Sequence, residues 1–545
     1  MLYYKEMSQN NQEKASLLEG SSDAGGEAKP QTNLNTDPGE ETMLPTFQNI
    51  PKGYTLNEAY QKIGGYGPFQ YFIAAVFIIG FNTGGILFYN VSLLELEPRY
   101  LCRNLTDPQI PAIQPFDCKA EVFCDPNSQF KYEHWIDWNH YSSLHNWVEQ
   151  LNLTCTSKAK IGLIGSMYFA GITSSALIIP RLSDLYGRRI VYFVSMVGHL
   201  LAYFVMLVSQ SLDLTLAMML LFGFFSLGRA SIGYIYMQEL TPTKQQTVVG
   251  TLVQVGTGLV QILAAVYFAF ISKQWQYYQF LGWTLNLLVV ISLYWIPESP
   301  KYLQSKRRFE ECRESLQWIA RVNLSKESEE GRRAKVSEIR FDNEVKEGSA
   351  EDQKLTGSLK DLIKIRRHFL NLLILIFVWM ASAFNYFLIN FRMKYLGGNI
   401  FVNIAVAASS EIVAYTCSGI FYQKIGIRFT LMGAFAISCL GSICLIIWGN
   451  NATLIPIMIL ATRFGVSATF NISYLANAQL MPAIFAGTAI GICNLFAKMS
   501  TIIAPLLAEV RDPIPMTVFA LFTGLAAGVS WFIKGNEKEE KANSK

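Results

Sequence analysis

Pro180-Arg181-Leu182-Ser183-Asp184-Leu185-Tyr186-Gly187-Arg188-Arg189 is a charged turn, set where the apolar block 161–181 gives way to the apolar block 190–209. Each block is near the length that an α-helix needs to cross about 30 Å of hydrocarbon. Gly187 permits a tight reversal between two such helices. Asp184 can cap a helix end and pair with a guanidinium, while Arg188 and Arg189 hold the turn on the cytosolic side. Ordinary topogenic charge looks much the same, so the surroundings must carry the reading.

Outward from this turn the same pattern recurs. Apolar blocks lie near 68–92, 161–181, 190–209, 213–238, 248–271, 277–296, 369–390, 400–422, 429–448, 454–479, 487–509 and 514–533. Hydrophobic residues make up 51% of the 545 and charged residues 16%, against about 25% charge in a soluble protein. One block alone reads equally as a soluble core helix; about twelve do not. The expected fold class is an all-α integral membrane protein with twelve transmembrane helices in two six-helix lobes. Its parts are a polar cytosolic tail (1–60), an N-lobe (61–296) with a long outer loop (93–159), a charged inner segment (297–367), a C-lobe (368–533) and a short tail (534–545). Six helices, a loop and six more is how two-lobed transporters are built, with the substrate site between the lobes at mid-membrane.

The net charge of +4 says little, but its distribution says more. Basic residues gather in the quoted turn, at Lys244, through 301–367 and at Lys424 and Arg428, which the positive-inside rule places in the cytosol with both termini. Arg392 and Lys394, on an outer turn, run against that trend. In the inner segment, Arg307, Arg308, Glu310 and Glu311 share a polar face, and Phe309, Leu316, Ile319 and Ala320 an apolar one. A helix on the cytosolic end of the bundle or in the interface suits that pattern.

The polar N-terminus argues against a cleaved signal peptide, and residues 1–50 read as a disordered tail. Glu13-Lys14-Ala15-Ser16-Leu17-Leu18 fits an acidic dileucine sorting address. The plasma membrane is the expected location, with an endosomal, lysosomal or other internal membrane as the alternative. Of nine cysteines, Cys102, Cys118, Cys124 and Cys155 fall in the outer loop. An even number there suggests two disulfides, with three possible pairings. Asn104 and Asn152 in the same loop begin glycosylation acceptors. No metal-ligand spacing, P-loop or catalytic constellation occurs, so no metal, cofactor, ATP-driven pump or enzyme is expected.

Several further segments carry a resemblance. GYGPFQYF opens the first span, WVEQLNLTC precedes the second, and PESPKYL (297–303) and SKRRFEECRESLQWIARVN follow the sixth. YLGGNIFVNIAVAASSEIVAY covers the eighth and RFGVSATFNISYLANAQLMP the tenth. With the Asp184-to-Arg189 turn, they resemble the major facilitator superfamily and, within it, the organic cation, organic anion and carnitine transporters, over roughly 60–533. The resemblance implies a two-lobed alternating-access fold and small organic ions as substrates. It implies a gating cluster of Asp184, Gly187, Arg188, Arg189, Glu239 and Glu298, which latches in one state and releases in the other.

The departures cluster in the C-lobe. Gln423 stands where an aspartate is usual, Gln479 where glutamate is usual and Ala486 where arginine is usual; Pro180 and Gln246 also depart. Loss of both signs together leaves no orphan charge, but it raises a second reading, a transport-inactive structural subunit of a membrane protein assembly.

Three ionisable side chains are read deep inside spans: Arg229, Glu411 and Lys498. Charge at that depth is costly unless it faces a cavity or a partner. Lys498 precedes Ile502 to Pro505 (IIAP). By the resemblance, this is where anion and carnitine transporters carry arginine and cation transporters aspartate. A cation there favours a carboxylate. Glu411 can face an ammonium, a coupling ion or Lys498 itself, with Tyr234, Tyr386, Phe387 and Tyr474 as a cation–π surface. That set suits an anionic or zwitterionic, carnitine-like substrate. The plainer alternatives are a neutralising Glu411–Lys498 pair, an Arg229 that pairs with Glu411 or packs beside Gly228, and aromatics that merely pack. His199 reads as a hydrogen-bonded core residue. The expected partners are therefore a small organic ion, membrane lipid and a coupling ion or assembly, with nothing pointing to nucleic acid.

Overall fold

The computed structural model describes residues 53–104, 115–124, 132–345, 366–481 and 483–533, and within these not the side chains of 104, 343, 345, 478, 479 and 483–488. The dileucine segment, most of the N-terminal tail, the C-terminal tail from 534 and the side chains of Asn104, Gln479 and Ala486 lie outside that description.

Twelve helices carry the bundle. The first lobe holds α1 (Pro68–Phe88), α2 (Lys158–Ser175), α3 (Arg188–Val208), α4 (Leu212–Leu227), α5 (Thr243–Val266) and α6 (Trp275–Ser292). A π-helical turn, Gly228–Ile232, leads α4 into Gly233–Glu239. The second lobe holds α7 (Arg366–Arg392), α8 and α9 (400–425 and 427–448, within the continuous Ile400–Trp448), α10 (Ile455–Leu480), α11 (Ala483–Thr501) and α12 (Ile514–Ser530). Among the described residues, eight helices are by themselves long and apolar enough to cross a bilayer. Ile400–Trp448 is one of the eight, and Gly426 at φ +79° breaks its 49 residues into two legs.

The block read as one span at 161–181 is instead a bent pair. α2 ends at Ser175, and a second helix, Ile179–Tyr186, leaves at 41°. Pro180 accounts for the break: it lacks an N–H and its ring clashes with the preceding turn, so it sits in the first turn of a new helix.

The outer loop has its own structure. β1 (Tyr100–Asn104) is central between β2 (Phe116–Cys118) and β3 (Tyr132–Ile136), both antiparallel to it. Tyr100 faces Cys118 on one side and Ile136 on the other. The cysteines pair as Cys102–Cys118 and Cys124–Cys155. Disulfides persist in oxidising compartments, so this end is the outer one.

The inner segment forms Pro300–Ser305, Phe309–Asn323 and Glu329–Ser337. Cys312, Leu316, Ile319 and Ala320 are fully buried on one face of the middle helix, while Glu310 and Glu311 are exposed. A hydrogen bond fixes this layer to the first lobe, with Phe69 N donating to Asn323 Oδ1 at 3.0 Å, and within the segment Ser315 Oγ donates to the Glu298 carbonyl at 2.7 Å.

The lobes meet along α5 with α8 and along α2 with α11. Glycines allow the close approach: a Cβ at Gly258 would lie 2.6 Å from Ile412, and one at Gly165 would lie 2.7 Å from Pro505. Among the described residues, hydrogen bonds between the lobes run from mid-membrane outward. Gln261 Nε2 donates to Glu411 at 3.5 Å, Ser166 Oγ to the Ile502 carbonyl at 2.6 Å, and Tyr141 Oη to the Gly398 carbonyl at 3.3 Å. The outer end is therefore the closed one.

Candidate substrate site

Glu411 on α8 is fully buried. Its partner is Arg463 on α10, with Nη2 3.0 Å from Oε2. Tyr386 Oη lies 2.9 and 3.1 Å from the two carboxylate oxygens, and Tyr415 Oη donates to Oε1 at 2.9 Å. Arg463 also donates to the Tyr386 carbonyl at 2.8 Å, and its guanidinium lies 3.8 Å over the Tyr386 ring. A buried ion pair is tolerated when its remaining donors and acceptors are satisfied, and here the carboxylate is. Glu411 therefore pairs with neither Lys498 nor Arg229, and the face of Tyr386 is already taken by a cation.

Arg463 is the charged residue that the reading of the spans missed. It lies in ILATRFGVSATF, apolar on both sides, and carried the same signal as the three recognised charges.

Lys498 on α11 is half-buried, with its ammonium 6.0 Å from the Phe387 ring centre. Phe387 on α7 packs against Phe88 of α1 and Phe169 of α2 at 5.9 and 4.5 Å, so Lys498 borders the junction of the lobes. Among the described residues no carboxylate lies within ion-pair distance of it. The helix stops just beyond: Ala504–Ala508 is a separate helix with Pro505 in its first turn.

Arg229 occupies the π-helical turn of α4, 5% exposed. Nη1 donates to the Gly80 carbonyl at 3.0 Å and also to that of Phe81. A Cβ at Gly84 would lie 2.5 Å from Nη2, so the glycine face of α1 makes the groove that holds the guanidinium. Tyr89, Tyr168 and Tyr192 surround it. No carboxylate pairs with it among the described residues.

The aromatics divide. Tyr474 is 41% exposed and packs on Trp379 and Phe470, and Phe470 leads on to Tyr386. Tyr474, Tyr386 and Phe387 thus form one run that ends at Lys498. Tyr234, 39% exposed, lies against α5 at Gly250, in the first lobe. His199 is a core residue, 3.1 Å from Asn286 and stacked on Phe222.

The inner turn assembles as a cluster within the first lobe. Arg188 reaches Asp184 at 2.6 Å and Glu239 at 3.3 Å. Glu298 accepts from the backbone N–H groups of Arg188 and Arg189 at 3.0 and 3.2 Å. Burial nonetheless pushes the Glu298 carboxyl above its ordinary value. Gly187 sits at φ +104°, and a Cβ there would lie 2.3 Å from Glu298 Oε2. Gly426, at φ +79°, repeats that conformation in the second lobe. There Arg428 lies 3.7 Å over the Trp531 ring, where the first lobe uses carboxylates.

Two lobes of six membrane helices, meeting at a lysine with no carboxylate partner among the described residues, define a two-lobed membrane transporter fold. A sequence model of the Major Facilitator Superfamily matches residues 134–505, and the chain belongs to that family. The chain is 24% identical to mouse solute carrier family 22 member 3 over 531 residues, 87% of this chain and 92% of that one. It is 24% identical to mouse organic anion transporter 3 over 508 residues (88% and 91%), and 24% identical to human organic cation/carnitine transporter 2 over 368 residues (66% and 63%). The resemblance to organic cation, organic anion and carnitine transporters is thereby borne out. Among solved structures, the inward-open xylose transporter XylE of E. coli superposes with a TM-score of 0.56 at 12% identity, covering 87% of this chain and 99% of that one. Its partially occluded inward-open form gives 0.54 at 13% identity, over 86% and 98%. At such identities the likeness is one of fold.

Proposed function

We propose that the chain carries small organic anions across the membrane by alternating access, with Lys498 meeting the substrate carboxylate. One observation carries this reading. Of the charged groups deep in the second lobe, Glu411 and Arg463 neutralise each other at 3.0 Å, whereas Lys498 has no described carboxylate partner. The free charge at the junction is therefore positive, and a positive site attracts carboxylates and repels simple cations. Arg229 adds a second cation in the first lobe. A zwitterion keeps a place only through aromatic faces such as Tyr474, because the carboxylate of Glu411 is already spent on Arg463. Lysine is a point charge rather than a fork, so carboxylate orientation is looser than an arginine would impose.

The reading is tested by ligand-induced thermal stabilisation of the purified protein with carboxylates, zwitterions and quaternary ammonium compounds. A ligand that binds the folded state raises its midpoint in proportion to occupancy. Carboxylates should stabilise the wild type and not Lys498→Ala. Stabilisation by quaternary ammonium compounds alone contradicts the proposal.

The rival reading, a transport-inactive subunit of a membrane assembly, is favoured by one feature: the inner turn of the second lobe has Gln423 and Arg428 on Trp531 in place of an acid–base cluster. Uptake by the reconstituted chain alone separates the two. The plasma membrane is the proposed location, and Asn152, exposed beside the outer sheet, a proposed glycosylation site.

A further inference from the structure

The outer turn with Arg392 and Lys394 is where the charge pattern runs against topology, and the structure shows what holds these cations. Arg392 pairs with Asp512 and donates to the carbonyls of Ala508 and Val510 at 3.0 and 3.3 Å. Lys394 lies deeper. Its Nζ is 2.7 Å from Glu95 Oε2 and 2.7 Å from Glu509 Oε1, and the three side chains are 2%, 1% and 3% exposed. Glu95 follows α1 in the first lobe, while Lys394 and Glu509 follow α7 and α11 in the second. The ammonium therefore ties the lobes together across the closed outer end.

The charges in this lock do not balance: two buried carboxylates share one ammonium. Among the described residues the neighbours supply no further cation. Tyr395 Oη donates to Glu509 at 2.5 Å but is neutral. Lys158 is held by Glu97 at 2.6 Å, Arg392 is held by Asp512, and Arg511 is exposed. Glu95 Oε1 is buried and has no hydrogen-bond partner. An ionised oxygen left dry and unpaired is costly, and a proton on the pair removes the surplus charge.

We propose that Glu95, Lys394 and Glu509 form a proton-binding lock between the lobes, so that closing the outer end takes up one proton from outside and opening it releases that proton. The lock rests on alternating access but not on the identity of the substrate. Burial is what pushes the Glu95 carboxyl up, to about 7; Lys394 opposes this and Glu509 adds to it. In the opened state Glu95 is hydrated and returns to the ordinary carboxylate range. The closed state therefore holds the proton more tightly. Its advantage is full below the open-state value and is lost as pH rises through about 7. Within that window each pH unit shifts the closed-to-open ratio by up to about tenfold.

Hydrogen exchange measured by mass spectrometry tests this on the full chain in lipid nanodiscs, over segments 91–97, 393–397 and 504–511. After correction for intrinsic exchange rates, the wild type should exchange several-fold faster at about pH 8 than at about pH 5.5. Glu95→Gln and Glu509→Gln each leave one carboxylate for Lys394, so each should stay protected at both values; Glu97→Gln should keep the pH dependence. Lys394→Met should raise exchange in all three segments. A wild type without pH dependence, or a Glu95→Gln and Glu509→Gln that both retain it, overturns the lock. If Lys394→Met also leaves exchange unchanged, the outer end never opens, and alternating access fails with the lock.

Discussion

At the residue scale, the cost of charge in a membrane was a reliable guide to position and a poor guide to pairing. Lys498, Glu411 and Arg229 all lie inside helices of the bundle, as their apolar flanks indicated. What the flanks did not show is that Glu411 faces Arg463, because the side chains that meet depend on how α8 and α10 are rotated against each other, and hydrophobicity all round a buried helix leaves no stripe to read. Arg463, inside ILATRFGVSATF, is equally legible by the same rule. Two predictions belong here. Lys498→Ala should weaken carboxylate binding about 10- to 100-fold, the worth of one hydrogen bond to a charged group, while Lys498→Arg should retain it. Glu411→Gln leaves Arg463 buried and unpaired, and should destabilise the fold by about 3–5 kcal/mol. The double variant Glu411→Gln with Arg463→Met should recover much of that loss. Thermal unfolding reads both, and equal loss in the single and double variants contradicts the pairing.

At the element scale, periodicity and length located most helices, and the exceptions have local causes. Pro180 splits the second span into a bent pair, which block length alone does not reveal. The antiparallel sheet of the outer loop, with β1 between β2 and β3, rests on pairing that only contact across the chain decides. Of the three possible cysteine pairings, the one adopted places Cys102 of β1 against Cys118 at the end of β2, beside the register of that sheet. Gly187 was legible from the motif of the first lobe, and Gly426 takes the corresponding place in the second. They differ in surroundings: a Cβ at Gly187 meets Glu298 at 2.3 Å, and one at Gly426 meets nothing within 4 Å. Gly426→Ala should therefore cost only backbone strain, about 1–3 kcal/mol, because φ +79° with ψ 167° is a region essentially confined to glycine. Gly187→Ala should cost more, because Glu298 must also leave the backbone donors of Arg188 and Arg189. Comparing the thermal midpoints of the two variants checks this, and equal shifts count against the Glu298 contact.

At the scale of the whole molecule, the division into two lobes of six helices followed from the charged segment between apolar blocks, whereas the conformational state did not. Composition carries no signal for which end is closed. The structure closes the outer end with Lys394 and the helix contacts around Ile502, and holds the inner cluster of Asp184, Arg188, Glu239 and Glu298 within the first lobe. Arg392 and Lys394, anomalous as topogenic charges, make sense as parts of that closure. The asymmetry of the inner ends, with carboxylates in one lobe and Arg428 on Trp531 in the other, bears on whether the lobes still move. Uptake of labelled organic anions, zwitterions and quaternary ammonium compounds by the purified chain in proteoliposomes decides both points together. Saturable entry of a carboxylate in the wild type, lost in Lys498→Ala and kept in Lys498→Arg, is the predicted result. Entry of simple cations alone, or of none of the three classes in properly folded protein, would contradict it.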